Sequence, residues 1–190
     1  MVLFLPICIN FNLNNAGGTM KKGIVLLMMI VMTTGLYGQV FNNAQVMDPG
    51  EISVSGGLAL GGNSALFALG KYGFKENLDL GARIALGNDV YAGVLAEYLF
   101  HQKKYTWSVS GGAHFSSGIG LDLTLTASKP LNEKFDLYGG FDWDLFSGGR
   151  FIGSRLFVGT EIAFRDNLNL MAELNLGTGS NLAGGVMYYF

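Results

Sequence analysis

From residue 50 onward, apolar and polar side chains alternate with a period of two, broken at short intervals by polar or glycine-rich turns. A period of two marks a β-strand, whose successive side chains point to opposite faces. The pattern predicts ten strands, over residues 50–62, 64–74, 77–87, 89–100, 105–118, 119–131, 135–146, 150–164, 167–178 and 181–190. Each is close to the ~9–11 residues that a tilted strand needs to cross a bilayer. In the third, Leu78, Leu80, Ala82, Ile84 and Leu86 oppose Asn77, Asp79, Gly81, Arg83 and Ala85. In the sixth, Leu121, Leu123 and Leu125 oppose Asp122, Thr124 and Thr126. In the second, Leu66-Phe67-Ala68-Leu69 is apolar on both faces, which leaves its register open and makes eight strands the alternative count.

Two turn chemistries take turns along the chain. One set is charged: Lys75-Glu76-Asn77, His101-Gln102-Lys103-Lys104, Asn132-Glu133-Lys134 and Arg165-Asp166-Asn167. The other is small and glycine-rich, as at Gly61-Gly62-Asn63-Ser64 and Ser147-Gly148-Gly149. Alternating turns of two kinds imply the two ends of a cylinder built from short hairpins.

Alternation alone fits both a soluble sandwich and a membrane barrel, which places its apolar face outward. The aromatics discriminate. With the charged turns at the periplasmic end, Tyr72, Phe74, Tyr98, Phe100, Tyr105, Trp107, Phe135, Phe164, Tyr188 and Phe190 fall near one rim on the apolar face. That is the girdle expected where lipid meets water. Phe115 and Trp143 suggest a thinner second one. The charged face is rich in glycine, which relieves crowding inside a narrow barrel. The chain closes on Val186-Met187-Tyr188-Tyr189-Phe190, an alternating strand with a terminal Phe. This resembles the signal by which bacterial outer-membrane proteins are recognised for barrel assembly. The chain thus resembles the broad class of small outer-membrane β-barrel proteins over residues 50–190. The resemblance implies outer-membrane lipids as surroundings, and the barrel-assembly machinery as a partner read through Tyr188 and Phe190.

The N-terminal stretch follows a different logic. Met20-Lys21-Lys22, the apolar run 23–31 and the small residues up to Gly38 form a signal peptide, residues 20–38. The run is shorter than the ~20 residues of a spanning helix. Residues 1–19 read as a mis-called extension, and Cys8, the only cysteine, lies there. Residues 39–49 are assigned as a periplasmic tail, with a plug as the alternative, and 50–190 as the barrel. The expected location is the bacterial outer membrane. With 29 Gly, 3 Pro, 14% charged residues and a net charge of −2, the chain carries no basic patch for nucleic acid.

The inward face collects nine acids, Glu51, Asp79, Glu97, Asp122, Asp136, Asp142, Asp144, Glu161 and Glu173, and three bases, Lys71, Arg83 and Arg155. Buried charges need partners. Strand rise places Lys71 between Glu51 and Asp79, Arg83 within reach of Glu97, and Arg155 beside Asp142 and Asp144 with Glu173 on its other side. Such a lumen is either plugged by ion pairs or a narrow, cation-preferring pore. His114-Phe115-Ser116 resembles the His-x-Ser of outer-membrane lipid A deacylases, but Ser128 stands where their later acid is expected, and both residues point inward. No catalytic residue, cofactor or metal is assigned. The expectation is an antiparallel up-and-down transmembrane β-barrel, structural or narrowly conducting. A lipid-modifying enzyme and a soluble secreted β-domain are the alternatives.

Overall fold

A computed structural model describes residues 41–61, 64–87, 89–116, 118–146, 152–177 and 179–190. The signal peptide (20–38), the extension (1–19) and several tips of the glycine-rich turns lie outside the described residues. The described chain forms β1 (Ile52–Gly61), β2 (Ala65–Lys75), β3 (Leu78–Leu86), β4 (Val90–Gln102), β5 (Thr106–Phe115), β6 (Ile119–Asn132), β7 (Phe135–Phe146), β8 (Ile152–Arg165), β9 (Leu168–Gly177) and β10 (Asn181–Tyr189). Each strand pairs antiparallel with its sequence neighbours, and β1 pairs with β10, closing a ten-stranded up-and-down barrel. The ambiguous second strand takes the register Val54↔Gly70 and Lys71↔Gly81, with Phe67 and Leu69 inside and Leu66 outside.

Burial is inverted relative to a soluble domain. Leu58, Val94, Phe115, Ile119 and Leu121 stand on the outer wall, each more than half exposed. Asp79, Thr124, Asp142, Glu173 and Asn175 are buried inside. A barrel with this exterior is built for an apolar surrounding.

The two rims differ in construction. Among the described residues, the four register shifts, at Gly73/Lys75, Leu99/His101, Pro130/Asn132 and Ala163/Arg165, all adjoin the charged turns. In each, one residue is left unpaired, as a bulge requires: Phe74, Phe100, Leu131 and Phe164. All four are exposed on the outer wall. The bulge at Pro130/Asn132 also accommodates Pro130, which has no amide for the ladder. The charged turns repeat a further device. The carbonyls of Asn77, Lys134 and Asn167 accept from the amides of Leu99, Ala163 and Tyr189 on the next strand over.

Residues 41–48 depart from the expected tail, because 41–47 run inside the barrel and Asp48 emerges at its rim. Phe41 and Ala44 are fully buried, and Asn43 and Met47 nearly so. Phe41 packs edge-on against Phe67, with ring centroids 4.9 Å apart. It joins a luminal cluster with Ala59, Tyr138, Phe157, Met171, Ala183 and Met187. Gly57 and Gly185 face each other across the β1–β10 seam, and a Cβ on Gly185 would lie 2.9 Å from the Phe41 ring. The segment leaves through a turn in which the Glu51 amide donates to the Asp48 carbonyl at 3.0 Å and Gly50 takes φ +93°. That turn delays β1 to Ile52. It also corrects the placement of Glu51, which is exposed at the charged rim, its carboxylate accepting from the Asp48 amide at 3.1 Å.

Candidate functional site: the lumen

The lumen has two chemically distinct halves. Toward the glycine-rich rim an ion-pair network reaches across the bore, from Arg83 on β3 to Asp122 on β6. Arg155 on β8 bridges Asp142 and Asp144 on β7, reaching Asp144 at 2.6 Å. Thr124 on β6 donates to Asp142 at 2.6 Å. Asp122, also on β6, gathers Arg83 from β3, the Tyr91 hydroxyl from β4 at 3.1 Å and His114 Nδ1 from β5 at 2.9 Å. Tyr91 stacks on His114 at 4.8 Å, and the Arg83 guanidinium lies 5.0 Å from the Tyr91 ring centre.

Glycines clear the path for these side chains. Arg83 lies directly opposite Gly93, where a Cβ would come within 3.4 Å of its Nε. The His114 ring occupies the space that a side chain at position 120 would fill. This explains why Arg83 bonds Asp122 across the bore instead of the expected Glu97. Lys71 lies between the strands that carry Glu51 and Asp79, but it bonds neither carboxylate. Its Nζ bonds Glu97 at 2.6 Å, and Ser108 donates to the other oxygen of that carboxylate, also at 2.6 Å. Glu173 does not flank Arg155 in an ion pair; it is taken up by the segment 41–48.

The half toward the charged rim is lined by carboxylates and occupied by that segment. The amides of Phe41 and Asn42 donate to Glu173 at 2.8 and 3.2 Å. The side-chain amides of Asn43 and Gln45 donate to Glu161, at 2.6 Å, and to Asp136. The Ala44 amide donates to Ser128 at 2.7 Å, and the Met47 amide to Asp79 at 3.2 Å. Acceptors from β3, β6, β7, β8 and β9 thus hold one segment. The sequence gives no periodicity that marks 41–48 as a plug. Its one hint is a surplus of inward acids facing a stretch of uncharged amide donors.

His114, Asp122 and Asp144 each offer one ligand atom within 4.8 Å of the others. Their carboxylates are engaged by Arg83 and Arg155, whose positive charge opposes a metal ion there. The deacylase-like pair is not assembled either. His114 is turned to Asp122, while Ser116 sits beyond the end of β5, its amide on the Gly118 carbonyl at 2.9 Å. Ser128 holds the Ala44 amide instead of filling an acid's role.

On the outer wall, Tyr72, Phe74, Tyr98, Phe100, Tyr105, Trp107, Phe135, Phe164, Tyr188 and Phe190 are all exposed, on strand ends and turns at the charged rim. Tyr188 and Phe190 pack edge-on at 4.7 Å, and the Phe190 amide donates to the Ile52 carbonyl at 2.9 Å.

No protein-family model matches this sequence, and no curated protein matches it significantly. Solved structures do resemble it. A KdgM porin superposes with a TM-score of 0.55 at 10% identity, over 73% of this chain and 99% of that one. A structure titled as KdgM porin in complex with disordered oligogalacturonate superposes at 0.51, with 9% identity, over 74% and 99% of the two chains. The likeness is one of fold. Both share with this chain a closed antiparallel β-barrel.

Proposed function

We propose that this protein is an integral outer-membrane barrel whose lumen is closed at rest and whose residual passage prefers cations. In this reading the chain is exported by residues 20–38 and assembled through its final strand, with both termini periplasmic. The carrying observation is Phe41, fully buried in the bore on the inner side of the Arg155–Asp142–Asp144 network. Two successive obstructions, one apolar and one ionic, stand in the path of any solute. The cation preference is supported by the wall itself, where inward acids outnumber inward bases and attract cations.

The test is single-channel recording of residues 39–190 refolded into planar bilayers. Rare, small, cation-selective steps are expected, weakened further in Asp142→Asn/Asp144→Asn. Large, frequent steps without ion selectivity would overturn the closed-lumen reading. A chain that stays in plain buffer without inserting would overturn the membrane reading.

A further inference from the structure

The charged rim carries its charge unevenly. Around the β4–β5 and β6–β7 turns stand Lys103, Lys104, Lys129 and Lys134, and among the described residues Glu133 is the only exposed acid in that sector of the rim. The rest of the rim exposes Asp48, Glu51, Glu76 and Asp166 against Lys75 and Arg165.

Two of the four lysines converge on one ring. Tyr105 lies just before β5 and is exposed on the outer wall. The Nζ of Lys104 lies 5.9 Å from its ring centre, and that of Lys129 lies 5.7 Å away. Both fall inside the ~6 Å range over which a ring face attracts a cation. Lys129 reaches Tyr105 from the neighbouring strand, because Thr106 pairs with Ser128. Among the described residues, neither ammonium takes part in an ion pair. Tyr105 is part of the aromatic girdle, so both charges are held where lipid meets water. An ammonium at that height binds phosphate as a point charge.

Below the lysines the wall is indented. Trp107 pairs with Ala127, Ala127 with Gly139, and Gly139 with Val158. Four neighbouring outward positions thus read Trp, Ala, Gly, Val, and the two small residues leave a shallow trough between the two large ones. A Cβ on Gly139 would lie 2.9 Å from the Phe157 carbonyl, so backbone packing keeps a side chain out of it. An apolar trough descending from two unpaired ammonium groups matches one acyl chain beneath one phosphate.

We infer that this sector of the outer wall is a binding site for an anionic phospholipid, its phosphate held by Lys104 and Lys129 and an acyl chain lying over Ala127 and Gly139. A headgroup with an ammonium of its own is repelled by the lysines, so the site selects lipids of net negative charge. Arg165, 5.7 Å from the Phe164 ring centre, makes the same kind of contact with a single cation and with Asp166 next to it in sequence. The assignment rests on the outer-membrane reading above.

Trp107 reports on the trough directly. In Trp143→Phe it is the sole tryptophan. Residues 39–190 carrying that change are refolded into phosphatidylcholine vesicles with a minor fraction of phosphatidylglycerol, and either lipid is supplied with brominated acyl chains, which quench tryptophan on contact. Quenching is expected to show phosphatidylglycerol enriched at Trp107 by about threefold or more over its share of the bilayer, and less so at high salt. Lys104→Gln/Lys129→Gln is expected to abolish the enrichment, and Arg165→Gln to leave it intact. Quenching in proportion to bulk composition would overturn the inference. So would enrichment that survives in the double lysine variant, since the general charge of the rim would then be its source. A Trp107 left unquenched in vesicles made wholly of brominated phosphatidylcholine would instead refute the membrane reading itself.

Discussion

The main-chain amide of Phe41 donates to Oε2 of Glu173 at 2.8 Å, in the interior of the barrel. The bond ties a non-strand segment to the centre of β9 and sets the Phe41 ring against Phe67. Phe41→Ala should loosen the segment without unfolding the barrel. The ring loss removes up to about 3–5 kcal/mol of local packing, the usual scale for a buried Phe→Ala. Bilayer recordings are expected to show more frequent openings than in the parent chain, with strand content by circular dichroism unchanged.

Arg155 neutralises two buried carboxylates at once. Arg155→Met should therefore destabilise the barrel by about 3–5 kcal/mol, because it strands both acids. Arg155→Met/Asp142→Asn/Asp144→Asn is expected to recover most of that loss. Urea midpoints in lipid vesicles measure both, and equal midpoints for the single and triple variants would contradict the ion-pair account.

The strand glycines are not equivalent, Gly159 facing the lumen and Gly184 the outer wall. A Cβ on Gly159 would run into the Tyr138 ring, whereas one on Gly184 would approach nothing closer than the Met171 carbonyl at 4.0 Å. Gly159→Ala is expected to cost about 1–3 kcal/mol through displacement of Tyr138. Gly184→Ala should stay within about 0.5 kcal/mol of the parent. Thermal midpoints of the two variants in the same detergent make the comparison.

Val94 pairs with Ala82 at the middle of β3 and is 61% exposed on the outer wall. In a bilayer that position lies near the midplane. Val94→Arg should cost about 2–4 kcal/mol for folding into vesicles. A near-zero effect would mean that the outer wall faces water.

Removal of Phe190 deletes one amide bond to Ile52 and the ring against Tyr188. Folding in detergent should change little. In cells, the truncated chain is expected to accumulate unassembled if the terminal Phe is the assembly signal, and pulse-labelling of heat-modifiable barrel against total chain reports it.

The strands were legible because a lipid-facing wall and a polar lumen force strict alternation, as in Leu121-Asp122-Leu123-Thr124. Strand ends were less so. Phe74 and Phe100 continue the alternation in sequence, yet each is the unpaired residue of a bulge. Ion partners were the least legible part. Strand-by-strand heights place Arg83 near Glu97, but the glycine opposite it opens a route across the bore to Asp122. Residues 41–48 were ambiguous for a different reason. A segment that bonds by its own backbone to side chains around it needs no pattern of its own.

Phe41 lies beneath the pair Gly57 and Gly185, where the first and last strands meet. That seam is the one junction between strands distant in sequence, so its closure waits for β10 to arrive. Until then the space that the ring fills is open along the seam. Sealing the cylinder and seating its stopper are consequently a single late event in assembly. Any change that widens the seam, such as a side chain at 57 or 185, will be felt first as an unstoppered barrel and only afterwards as an unfolded one.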